Sequence, residues 1–86
     1  MKLRTDDLAW ENVDDEIIVL DSRASRYYRL NGSGALLWAM LDDGATRADM
    51  VSKLRGTYSI DEDIATNHLD TFIADLERRK LILDHG

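Results

Sequence analysis

The chain has 86 residues, enough for one hydrophobic core, and a chain of this size buries only about 60–65% of the surface it exposes when unfolded. Hydrophobic residues make up 44% and charged residues 33%, the balance of a folded globular domain. No apolar run approaches the roughly 20 residues of a membrane span, and Met1–Asp7 lacks the apolar segment of a signal peptide. Cysteine is absent, which excludes a disulfide framework, a thiolate metal site and a cysteine nucleophile.

The net charge of −6 is unevenly spread. Residues 1–22 hold seven acids and two bases, residues 23–59 three acids and six bases, and residues 60–86 seven acids and three bases. The middle is a basic island, and Arg23, Arg26 and Arg29 lie in a stretch between Asp21 and Asp42 that has no acid. Such a stretch either steers an anionic partner or is the solvated face of a strand. The acidic excess elsewhere repels a phosphate backbone, so nucleic acid is not the expected partner.

In chain order, the first third reads as strand. Ala9–Val13 alternates weakly and Asp14-Asp15 makes a turn. Glu16–Leu20 is β-branched, Asp21–Ser25 is a second turn, and Arg26-Tyr27-Tyr28-Arg29-Leu30 is a third strand. Alternation sets Tyr28 and Leu30 on one face and Tyr27 and Arg29 on the other. Short turns make an antiparallel meander the economical topology.

The remainder reads as helix. Asn31-Gly32-Ser33-Gly34 breaks the chain before Ala35–Leu41, and Gly44 is a left-handed cap. Thr46 and Asp49 form a capping box at the start of the next helix, and Gly56 is expected to end it. The third helix is capped by Ser59 or Asp61. It carries Ala65, Leu69, Phe72, Ile73 and Leu76 as an apolar stripe, with Arg78, Arg79 and Lys80 in its last turn. Leu81-Ile82-Leu83 then packs back as an extended tail. The resulting β-β-β-α-α-α order is an α+β domain: a three-stranded antiparallel sheet followed by a three-helix, winged-helix-like bundle.

Catalytic constellations are missing from the sequence. The five glycines form no phosphate-cradling loop. His68 and His85 are the two histidines; the second lies at the C-terminus, where chains fray. His68 has no second histidine or any cysteine to complete a metal set, and it reads as a solvated helix residue. Asp61-Glu62-Asp63 reads as helix capping rather than a cation site. Trp10 and Trp38 read as sheet cover and core. No cofactor is expected, and the chain reads as a non-enzymatic binding module of the cytoplasm.

Three stretches carry a family resemblance. Tyr27–Trp38 resembles the y-x-L-N-x-x-G/A-x-x-I/L-W segment of the PqqD-like family. Leu41-Asp42-Asp43-Gly44-Ala45-Thr46 resembles its L-D/E-G-x-x-T turn, and Leu69–Ile82 resembles its closing F-L-x-x-L-x-x-x-x-L-L/I. The resemblance runs from about Leu8 to Leu83 and makes residues 1–86 one domain. The chain departs from the pattern at Lys80, where many members have glycine. The family implies a recognition element that binds the leader of a ribosomally made precursor peptide and presents it to a maturation enzyme. The leader adds as a strand to the edge of the third strand, against the third helix, by β-augmentation. The Tyr-Tyr-Arg-Leu-Asn and Leu-Leu-Trp pieces look most like the stand-alone leader-binding protein of lasso peptide biosynthesis, which works with a separate leader peptidase. The alternative branch serves a radical-SAM enzyme.

Carried onto this chain, the peptide site comprises Arg26, Tyr27, Tyr28, Arg29 and Leu30 on the strand, with His68, Phe72, Asp75, Leu76 and Arg79 on the helix. Stepping about 100° per residue from Leu69, Phe72, His68, Asp75 and Arg79 share one flank, and Thr66, Asp70 and Glu77 the other. The Phe72 flank, which sets a large apolar group beside polar ones, is the expected cleft wall. Tyr28 and Leu30 are expected at the cleft floor, and Tyr27 and Arg29 in contact with the partner. Two other classes remain: a winged-helix nucleic-acid binder, disfavoured by an acid-rich third helix, and a scaffold that pairs with itself through the same edge.

Overall fold

The computed structural model describes residues 2–83; His85 lies outside them. Eight elements follow in order: β1 (Lys2–Leu3), β2 (Leu8–Val13), β3 (Glu16–Asp21), β4 (Arg26–Leu30), α1 (Gly32–Asp42), α2 (Arg47–Tyr58), α3 (Glu62–Arg78) and β5 (Ile82–Leu83). The three expected strands form an antiparallel meander in the order β2-β3-β4. Its register sets Trp10 opposite Val19 and Val19 opposite Tyr28 on one face, with Ala9, Leu20 and Tyr27 in a row on the other.

The Val19 face packs on the helices. Trp10 meets Trp38 of α1 edge to face, with ring centroids 5.4 Å apart, a favoured aromatic geometry. Val19, Leu37, Trp38, Met50, Leu54, Ala65 and Leu69 have no solvent exposure. The core therefore lies between the sheet and the bundle, drawing on all three helices. On the other sheet face Leu20 and Tyr27 are exposed.

Three boundaries differ from expectation. α1 begins at Gly32 rather than Ala35, with Asn31 as its N-cap. First-turn N–H groups have no intrahelical acceptor to lose, so the glycine-rich cluster is tolerated there. α2 does not stop at Gly56; it runs on to Tyr58, and Ser59 takes the left-handed position at φ 54°. Lys80 lies beyond α3 rather than in its last turn, at φ 59°. Leu81 N–H donates to Leu76 O and Lys80 N–H to Glu77 O, a Schellman closure with lysine where the family often has glycine. The expected caps of the other ends are present: Thr46 and Asp49 make a capping box, Asp61 caps α3 through Ile64 N–H, and Gly44 follows α1 at φ 82°.

A second small sheet was not legible from strand patterning. β1 pairs antiparallel with β5, Lys2 opposite Leu83 and Leu3 opposite Ile82, so the core reaches N-terminal of Leu8. Arg4 beside it is buried. Its guanidinium donates to Asp21 Oδ1, Lys80 O and Asp6 O, joining the N-terminal strand to the end of β3 and to the turn after α3.

Candidate functional site

β4 is an edge strand, paired on one side only. Which of its backbone groups are open follows from the ladder. In an antiparallel sheet a residue directs its N–H and C=O to the same side, and successive residues alternate sides. Ser22 N–H donates to Asp7 O, so Ser22 faces β2, as do Leu20 and Ile18. Asp21, Val19 and Ile17 then face β4, where their partners are Arg26, Tyr28 and Leu30. Tyr27 and Arg29 are left with their N–H and C=O directed out of the open edge.

Beside this edge runs a groove of about 180 Å3 between β4 and α3. Tyr28 and Leu30 form its sheet side; Phe72, Asp75, Leu76 and Arg79 form its helix side. Gly34 and Trp38 of α1 close it from behind. Gly34 has a specific place here: a Cβ added to it would lie 3.8 Å from both Leu30 Cδ2 and Phe72 Cε1, ordinary contact that would narrow the groove by a methyl group. Trp38 is fully buried, and its indole N–H has no hydrogen-bond partner within the protein.

The groove's rim is held by charge. The Arg79 guanidinium lies 4.5 Å from the centroid of the Tyr28 ring, a cation–π contact bridging helix and strand. Asp75 accepts from Arg78 and pairs with Arg79 at 3.4 Å, so one carboxylate serves two arginines.

The sequence-derived residues fall into three groups. Tyr28, Arg29, Leu30, Phe72, Asp75, Leu76 and Arg79 line the groove together. Arg26 lies at one end, in an adjoining hollow that it shares with Tyr28 and Arg79. His68 lies in a hollow at the other end with Ser33 and Phe72, and its Nε2 is 2.7 Å from Ser33 Oγ. Tyr27 does not line the groove: its side chain, like that of Arg29, stands on the sheet face that carries Leu20, and only Arg29 of the two reaches the groove lining. The opposite flank of α3 faces α2, where Arg47 pairs with Asp70. Periodicity did not reveal Gly34, Trp38 and Leu81 as groove residues, although Gly34 occupies a marked position of the family segment. Among the described residues no group of three or more histidine, aspartate or glutamate side chains is arranged to hold a metal ion.

Two carboxylates outside the groove, Asp21 and Asp49, titrate away from their usual value. Burial pushes the Asp21 carboxyl up, but the Arg4 hydrogen bond, the Ala24 and Arg23 amides and the Arg4 charge outweigh it, so Asp21 titrates below its usual 3.8. Asp49 is also lowered, by the Thr46 backbone and side-chain hydrogen bonds of the capping box.

Comparison with known proteins bears on this geometry. The sequence profile of the family described as coenzyme PQQ synthesis protein D (PqqD) matches residues 16–82. A search of the curated proteins gives no match. Among solved structures, TbiB1 in complex with the TbiA(beta) leader peptide superposes with a TM-score of 0.91 at 24% identity, covering 100% of this chain and 99% of that one. Lasso peptide synthetase B1 complexed with the leader peptide superposes at 0.86 with 25% identity, covering 96% of each chain.

Proposed function

This chain belongs to the PqqD family, and from that premise we propose that it is a non-catalytic module that binds the leader of a precursor peptide for lasso peptide biosynthesis. The leader adds to β4 as a further strand, its backbone pairing with Tyr27 and Arg29 and its alternate side chains entering the groove against α3. A separate leader peptidase then acts on the peptide so presented. The observation that carries the reading is the juxtaposition of an open strand edge with a groove whose floor is apolar and whose rim is charged. An edge strand is a template for another strand, and a groove beside it reads every second residue. The two structural relatives named above were each solved with a leader peptide. The α2 surface offers less to a nucleic acid, because Arg47 and Arg55 are paired with Asp70 and Glu62.

The test is an NMR titration of the isotope-labelled protein with a synthetic leader from the precursor encoded beside its gene. Saturable binding is expected, with amide exchange slowed at Tyr27 and Arg29 and little changed at Tyr28, whose N–H is already in the ladder. Absence of saturable binding, or protection confined to β2 or α2, would overturn the reading. Slowed exchange at Tyr27 and Arg29 that depends on protein concentration without any peptide would indicate self-pairing instead.

A further inference from the structure

The groove has two unlike ends. Past Tyr28 it opens into a hollow of about 440 Å3 lined by Ala24, Arg26, Tyr28, Arg78, Arg79 and Lys80. Four of those six side chains are cationic, in a protein whose net charge is −6. The one carboxylate paired there is Asp75, shared by Arg78 and Arg79. Among the described residues Arg26 and Lys80 take part in no ion pair. The hollow on the Phe72 side holds Ser33, His68 and Thr71 together with Asp75 and Arg78, one acid and one base where the Arg26 end has four bases.

We propose that the Arg26 end is a carboxylate subsite, which reads an acidic side chain of the bound peptide and so fixes the peptide's register along β4. The proposal rests on the leader-binding reading above. Like charges gathered on one small surface repel one another, and Asp75 alone offsets them through Arg78 and Arg79; an anionic occupant beside Arg26 and Lys80 relieves the remaining repulsion. Arginine forks bind a carboxylate by donating two parallel N–H groups to its oxygens. Arg79, stacked on Tyr28, links this subsite to the apolar groove. Arg26 is two residues from Tyr28 and four from Leu30 on the same face of β4. An added strand has the same period, so its acidic residue stands two or four positions from the apolar side chain that fills the groove.

The test uses the same synthetic leader in two forms, native and with its acidic residues replaced by the corresponding amides. Each is titrated against the wild-type protein and the Arg26→Gln/Lys80→Gln variant, with the unliganded variant's spectrum verifying its fold. Exposed charge pairs contribute modestly, and two are lost here, so the native leader is expected to bind the variant roughly three- to tenfold more weakly. The deficit should shrink at high salt, and the amide leader should bind both proteins equally. Equal binding of the native leader to wild type and variant would overturn the carboxylate subsite while leaving the groove reading intact. No binding of either leader to the wild-type protein would overturn both.

Discussion

Arg29 separates the backbone role of β4 from its side-chain role. Its side chain lies on the sheet face away from α3 and comes within 3.6 Å of Glu16, while its N–H points out of the open edge. Proline at this position removes a donor that the native sheet does not use, and edge strands tolerate proline on their open side. Arg29→Pro should therefore keep the helical circular dichroism of the wild type and weaken leader binding by roughly tenfold or more, as expected for a lost hydrogen bond plus the bulk of the ring at the pairing face. Wild-type affinity in this variant would place the added strand elsewhere. Proline at Tyr28, whose N–H belongs to the ladder, would damage the sheet itself and serves as the contrast. Alternation along Arg26–Leu30 already separated Tyr28 and Leu30 from Tyr27 and Arg29. The direction of the N–H groups was not accessible from the strand alone, because it depends on which neighbour each residue of β3 faces.

At the scale of elements, the caps were readable because their chemistry is local. Thr46 and Asp49 are three residues apart and satisfy each other's backbone N–H groups, and Asp61 does the same for Ile64. Gly56 misled for the opposite reason. Its flexibility argues for a helix end, but Leu54 is buried in the core and Tyr58 borders the hollow that Ile60 and Ile64 line. Packing of these side chains carries the helix through a weak position. Gly56 has ordinary helical backbone with φ outside the left-handed region, and a Cβ there would meet nothing within 4 Å. Gly56→Ala should stabilise the protein by about 0.5–1 kcal/mol, raising the midpoint of thermal unfolding by roughly 2–8 °C. A lower midpoint would contradict a helix that continues to Tyr58. β1 and β5, two residues each, are too short to show any period, and pairing between opposite ends of the chain leaves no local trace.

For the molecule as a whole, the Arg4–Asp21 pair is the tie between distant parts. Arg4 and Asp21 are 5% and 1% exposed, and the Arg4 guanidinium also reaches Lys80 O at 2.8 Å. One side chain thus joins the N-terminus, the sheet and the turn that closes α3, next to the groove. Asp21 Oδ2 has no hydrogen-bond partner within the protein, so the carboxylate relies on the charge of Arg4 and on the bonds at its other oxygen. Its folded-state pKa lies below the usual 3.8. The stability it contributes is therefore fully present above that value and is lost as pH falls through the lower folded-state value. Thermal unfolding followed from pH 7 down to pH 2 should show a midpoint that drops below about pH 4. In Asp21→Asn the midpoint at pH 7 should be lower and the acid-dependent drop smaller. An unchanged acid limb would mean that other carboxylates govern acid unfolding.

The sequence by itself determined the α+β order, the helix caps, the absence of cysteine chemistry and which residues of β4 and of α3 share a face. These follow from short-range periods and from side chains that act on their own neighbourhood. Only the tertiary structure decided that the Phe72 flank of α3 lies against β4 while the Asp70 flank lies against α2. It also decided that Gly34 and Trp38 close the groove and that Arg26 meets Arg78, Arg79 and Lys80 at one end. Each of these is a contact between residues far apart in the chain, where the choice between two amphipathic flanks is made by how the core packs as a unit.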